Sequence, residues 1–206
     1  MSCSEIGNKE LEFINLDPEI IDIEIKDFFN SVTYSNSDNL IIVKYKNKES
    51  LITVKIHKIQ KEELKFCISN FKQNRKVEKK LFLIFDPLFV QKNFFIEICS
   101  INFSDDLLLL NNCINLISMA VCLYGIEIKD LPVSVCNFAY TDYVDDLRYC
   151  AAFRGHEKSN LYFFVDNCDF SKEEVTFLIE FLRKKAEIAF FEMKNFLKKE
   201  SKSLLK

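Results

Sequence analysis

Glycine, proline, tryptophan and histidine are scarce in this 206-residue chain, which holds three, three, none and two of them. Few glycines leave few positions for the positive φ that tight turns use. No glycine-rich loop is available to cradle a phosphate. Two histidines, His57 and His156, with no matched nucleophile argue against a catalytic triad. A large charge excess is also missing: the formal charge is −3 and the isoelectric point is near 5.6. A free-standing nucleic-acid binder is usually basic, although a component sharing RNA with basic neighbours stays compatible. The eight cysteines (Cys3, Cys67, Cys99, Cys113, Cys122, Cys136, Cys150 and Cys168) lack the close spacing of zinc ligands. Most lie in apolar runs and read as core thiols. Met1-Ser2-Cys3-Ser4-Glu5 is not a signal-peptide pattern. No uninterrupted apolar stretch reaches the ~18 residues of a membrane span. The expectation is a soluble, intracellular chain with no membrane partner, metal or cofactor.

What is present is core material. Hydrophobic residues make up 49% and aromatics 14%, with 21 phenylalanines, which excludes a disordered chain. The bias toward Phe, Ile, Asn and Lys reads as genomic composition and carries no chemistry. The segment before residue 28 is acidic, and its Ile-rich run from Glu19 to Ile25 fits a short helix or an edge strand. Val32 to Ser35 and Leu40 to Tyr45, around the turn residues Asn36-Ser37-Asp38-Asn39, predict a hairpin. Ser50 to Ile59 alternates, with Ile52, Val54 and Ile56 on one face, as a half-buried strand does. Leu64 to Ser69 is a further strand, Phe71 to Glu78 reads as a basic loop, and Val77 to Phe89 as a helix broken at Asp86-Pro87. Phe94 to Phe103 reads as a central strand. Asp105-Asp106 can cap a helix over Leu107 to Tyr124 that is apolar nearly all round, with Gly125 at its end. Its polar residues Asn111, Asn115 and Ser118 form one stripe. Leu131 to Ala139 and Leu161 to Val165 are strands, joined by a polar connection over 140–160. The capping box Ser171-Lys172-Glu173-Glu174 opens a long closing helix with a stripe through Val175, Leu178, Leu182, Ala186, Ala189, Met193 and Phe196. The class is α+β.

The run from Phe82 to Ser134 resembles the RNase PH-like family. The residues that carry the likeness are Phe85-Asp86-Pro87-Leu88-Phe89, the strand Phe94-Phe95-Ile96-Glu97-Ile98, Asp105-Asp106, and Asn115 followed by Gly125-Ile126 and Asp130-Leu131. The hairpin and the closing helix extend it over residues 28 to 199. The resemblance implies an RNase PH-like fold: a mixed sheet, a buried central helix and a long C-terminal helix. It divides the chain into an N-terminal segment over 1–27 and a domain over 28–206.

The family's phosphate site is an Asp-Gly-Gly-Thr-Arg sequence at a helix start. Anchored on Asn115 and Gly125, those positions are Asp106, Leu107, Leu108, Leu109 and Leu110 here. Leucine replaces the glycines, the hydroxyl and the arginine, so the resemblance implies a chain that is not an enzyme. Asp142, Asp145 and Asp146 lie near the family's second acidic loop, but the further aspartate falls at Ala152, and the trio reads as solvated. The basic stretch Lys72 to Lys80, with Arg75 and Lys76, falls where family members contact RNA. Arg148 and Arg154 are further candidates, and a solvated charge run is the plainer reading of all four. The implied role is a non-catalytic subunit of an RNA exosome ring, in the nucleus (nucleolus) and cytoplasm, beside other RNase PH-like subunits. Phe28, Phe29, Phe94 and Phe95, beside strand edges, are candidates for the subunit interfaces. An active phosphorolytic exoribonuclease, an unrelated interaction domain and an independent nucleic-acid-binding module remain as alternatives.

Overall fold

Alternation of apolar and polar side chains builds the first sheet. In the computed structural model, which describes residues 18–37, 40–47, 50–136, 148–166 and 170–204, five strands pair in the order β1-β2-β3-β5-β4. They are β1 (Val32–Ser37), β2 (Leu40–Asn47), β3 (Ser50–Lys58), β4 (Glu63–Ser69) and β5 (Asn93–Ile101). β1 to β3 form an antiparallel meander, and β3 pairs antiparallel with β5. Only β4 and β5 are parallel, and parallel neighbours need a crossover. Helix α2 (Asn74–Phe85) supplies it. Ile52, Val54 and Ile56 point inward with Val43, Ile96 and Ile98, all buried.

The described chain begins with a helix, α1 (Pro18–Asn30), which resolves the choice left open for the Ile-rich run. Proline is tolerated in a first helical turn because its missing N–H would have had no partner there. Helix α3 spans Asp106–Tyr124, and Gly125 behind it takes φ 71°, the left-handed conformation expected of it. Every residue from Leu109 to Val121 is buried. The helix is apolar enough for a membrane span, yet 78% of its apolar window is enclosed by protein. It packs on β2 and β3 on one side and, on the other, on the second sheet. That sheet has the order β6 (Pro132–Cys136), β7 (Arg148–Arg154) and β8 (Asn160–Asp166), antiparallel throughout. Helix α4 (Lys172–Leu204) closes the fold over β6, β7 and α1. Its capping box is made as expected: Ser171 N donates to Glu174 Oε2 at 2.7 Å and Glu174 N to Ser171 Oγ at 3.2 Å.

Four expectations change. The polar connection over 140–160 contains β7, whose Tyr149 to Phe153 are all buried. α3 and α4 cover it from both sides, so no polar face alternates with the apolar one. The basic loop before Val77 is the first turn of α2, beginning at Asn74. The division between residues 27 and 28 falls inside α1, where Ile25 joins the core and Asp22 meets Lys185 of α4 at 2.6 Å. Phe28, Phe29 and Phe94 are 4–5% exposed. They pack within the chain, Phe28 against Phe29 and Tyr45 and Phe94 against Phe89, so they offer no surface to a neighbour. Phe95, one residue on, faces the other side of the sheet and is half-buried.

Cys113, Cys136 and Cys150 are buried thiols, and burial pushes the Cys150 thiol up to about 12. Cys67 is exposed instead. Cys3 and Cys168 lie outside the described residues.

Candidate functional site

The start of α3 gathers charge from two other elements and aromatic rings from a third. Asp105 has an extended backbone and caps the helix: its Oδ1 accepts from Leu107 N at 2.7 Å and Leu108 N at 2.9 Å. Helix N-termini attract anions because their first N–H groups lack partners. Here a carboxylate of the chain already satisfies two of them. Arg148, opening β7, reaches Asp105 Oδ2 at 2.9 Å and Asp106 Oδ1 at 3.1 Å. From α2, Lys76 and Lys80 approach Asp106 Oδ2 at 3.3 and 3.9 Å. They are four residues apart, on one helix face. Lys80 Nζ also sits 5.6 and 5.1 Å from the rings of Tyr162 and Phe164 on β8, within reach of a cation–π contact.

Burial and pairing compete in these groups. Burial alone would raise the Asp106 carboxyl, but the Lys76 hydrogen bond and the charges of Lys76 and Lys80, helped by Arg148, hold it below its ordinary value. Arg148 is pushed down by burial and, more strongly, up by Asp105 and Asp106. For Lys80 burial wins over the pull of Asp106, and its ammonium is lowered. Arg148 and Lys76 are thus paired with the two carboxylates, while Lys80 Nζ, 3.9 Å from Asp106 Oδ2, is buried without a hydrogen-bond partner among the described residues. Behind them Leu107, Leu109 and Leu110 are core residues, with no hydroxyl or guanidinium to offer an anion.

Of the four RNA-contact candidates, the structure brings Lys76 and Arg148 together. Arg75 is exposed beside Lys76, outside the ion pairs. Arg154 lies at the other end of β7, about 20 Å along the strand at ~3.3 Å per residue, and pairs with Glu157. Lys80, Tyr162 and Phe164 were not singled out from the sequence. The signal for Lys80 was its helical spacing from Lys76; no local signal marked the two rings. Asp142, Asp145 and Asp146 lie outside the described residues, and Ala152 is buried in β7.

A second polar cluster serves the chain itself. Asp130, with a side chain only 2% exposed, accepts from Leu131 N at 2.7 Å, Glu157 N at 3.1 Å and His156 N at 3.2 Å, and its Oδ1 lies 2.9 Å from His156 Nδ1. Burial would raise its carboxyl, but the His156 bond and these backbone donors hold it below the ordinary value. It ties the β7–β8 turn to the segment before β6, and no nucleophile is in contact with His156 among the described residues. Nor do three His, Cys, Asp or Glu side chains gather there for a metal.

No family model matches this sequence, and no curated protein does. Solved structures do match its backbone. The crystal structure of rice (Oryza sativa) Rrp46 superposes with a TM-score of 0.62 at 16% identity, over 82% of this chain and 93% of that one. The archaeal exosome core gives 0.52 at 11% identity, over 86% and 100%. At such identities the likeness is one of fold. The fold is the RNase PH-like α+β arrangement that the resemblance implied.

Proposed function

We propose that this chain is a structural subunit of an RNA exosome ring and does not itself cut RNA. The fold supports the first half, since one of the two solved structures named above is an archaeal exosome core that this chain matches over that chain's full length. The second half rests on one observation: Asp105 occupies the N–H groups of α3 that an attacking phosphate would need, and Arg148, Lys76 and Lys80 are held by Asp105 and Asp106. A phosphate would have to displace a covalently tethered anion and would meet a second one. Such a subunit contributes to 3′-to-5′ RNA processing by holding the ring and its channel together. Arg75, exposed next to the cluster, is the best placed of the four candidates to reach RNA in a shared channel.

In this reading the partners are other RNase PH-like subunits, and the location is the nucleus (nucleolus) and cytoplasm, which a fluorescent fusion would test. The surface offered to neighbours includes exposed apolar side chains, chiefly Leu83 at 71%, Phe191 at 60% and Ile23 at 57%. Two experiments test the proposal. Incubated with RNA and phosphate, the purified chain should release no nucleoside diphosphate; release abolished by mutation at Asp105 or Asp106 would make it a phosphorolytic enzyme. Co-expression with a second RNase PH-like subunit should give a heterodimer by sedimentation. A monomer that ignores every such subunit would remove the ring reading.

A further inference from the structure

The outward face of the five-stranded sheet takes no part in the site or the core. The alternation that buries Ile52, Val54 and Ile56 turns Lys55 and His57 outward, and the register sets them opposite Glu97 and Phe95 of β5. Lys65 of β4 stands on the other side of Phe95. The rings of His57 and Phe95 lie 5.9 Å apart, tilted by 32°. Lys44 and Lys46 of β2 are exposed on the same face. Its two glutamates are both engaged: Glu97 with Lys55 at 3.9 Å and His57 at 3.4 Å, and Glu63 with Lys61 at 2.9 Å. A chain of formal charge −3 therefore carries a face with four lysines (44, 46, 55 and 65) against two glutamates. Lys65 is level with the aromatic pair, while Lys44 lies three strands across and four residues along, about 20 Å from Lys65 at ~4.8 Å per strand and ~3.3 Å per residue.

We infer that this face binds single-stranded RNA, a base stacking on the Phe95–His57 pair and phosphates following the lysines. Aromatic side chains on an open sheet, flanked by cations, suit unstacked bases, whose faces a duplex hides. The charge balance is complementary to a phosphate backbone. An acidic protein segment would use the lysines but gain little from an aromatic pair in the sheet plane. The surface is separate from the α3 start, so it does not depend on whether the ring reading holds.

Fluorescence anisotropy of the full chain with a labelled short oligouridylate tests this. Binding should weaken roughly tenfold in Phe95→Leu, which keeps apolar bulk and removes the stacking face. Lys44→Glu and Lys65→Glu replace exposed residues, so folding should survive. Each should weaken binding and flatten its dependence on log salt by about 0.7 per lost phosphate contact. Lys184→Glu, exposed on α4 and away from this face, should leave it unchanged. Absence of binding overturns the inference. Binding that ignores Phe95→Leu and Lys65→Glu, or a polyglutamate peptide that competes as well as RNA, overturns it equally.

Discussion

Helix α3 handles polar groups differently at its middle and at its start. In the middle, Asn115 and Ser118 are 2% and 0% exposed, and both bond to backbone. Asn115 Nδ2 donates to Ser134 O at 3.0 Å, its Oδ1 accepts from Ser134 N at 2.9 Å, and Ser118 Oγ donates to Pro132 O at 2.6 Å. β6 lies at the edge of its sheet, and these side chains stand in for the missing strand. An unpaired edge is a liability; here the helix closes it. At the start, the groups are charged, the side chains of Asp105 and Asp106 are 22% and 13% exposed, and lysines and an arginine share the pairing. Neutral groups with one fixed partner set the register of helix on sheet. Charged groups at the rim have several partners and water nearby, so each pair carries less.

Asn115→Leu should show the largest effect. It leaves Ser134 N–H and C=O unpaired in the interior, at ~1–3 kcal/mol each, and adds a branched side chain to a filled site, at ~1–3 kcal/mol. A loss of about 4 kcal/mol is expected, which for a domain of this size lowers Tm by roughly 10 °C. A variant melting with the wild type would mean that the stripe does not hold α3 to β6.

Asn111→Leu, one turn earlier, sharpens the comparison. Asn111 is as buried as Asn115, at 1%. Its Nδ2 bonds only Asn112 Oδ1 at 3.2 Å, and its own Oδ1 has no hydrogen-bond partner. Replacement removes an unsatisfied group along with one bond, so the cost should be about 1–2 kcal/mol. Equal losses at 111 and 115, measured by denaturant titration, would show that volume and not hydrogen bonding decides.

How far the residues announced all this follows from the range of each interaction. The strand β3, the caps of α3 and the box of α4 rest on neighbours within a turn or an alternation, and all were readable. β7 was hidden because its Tyr149-Cys150-Ala151-Ala152-Phe153 run is covered on both sides and shows no alternation. The first turn of α2 was hidden because Arg75 and Lys76 precede its first buried residue, Val77. The phenylalanine count could not assign faces: adjacent Phe94 and Phe95 point opposite ways. At the α3 start, Asp105 and Asp106 stood out, but Arg148 is 42 residues beyond Asp106 and only the fold brings it there. The acidic pair therefore read as a helix cap, when it also pairs with cations from α2 and β7.

The smallest effect concerns the rim and is seen best against pH. Asp106 has its carboxyl held below the ordinary value in the folded chain, near ~3.9 when unfolded. A depressed folded value means stability that is present above the unfolded value and lost as pH falls through the folded one. Wild-type Tm should therefore decline below about pH 4, and Asp130, shifted the same way, should contribute to that slope. Asp106→Asn keeps shape but removes the charge that Arg148, Lys76 and Lys80 share. Lys76 is 60% exposed, so the pairing is partly screened and the loss at neutral pH should stay at about 1 kcal/mol. The variant curve should converge on the wild type in acid, where both lack the charge. Parallel curves across the range would show that the ion pairs of Asp106 contribute nothing, leaving the helix cap and the Arg148 pair of Asp105 as the stabilising contacts at this rim.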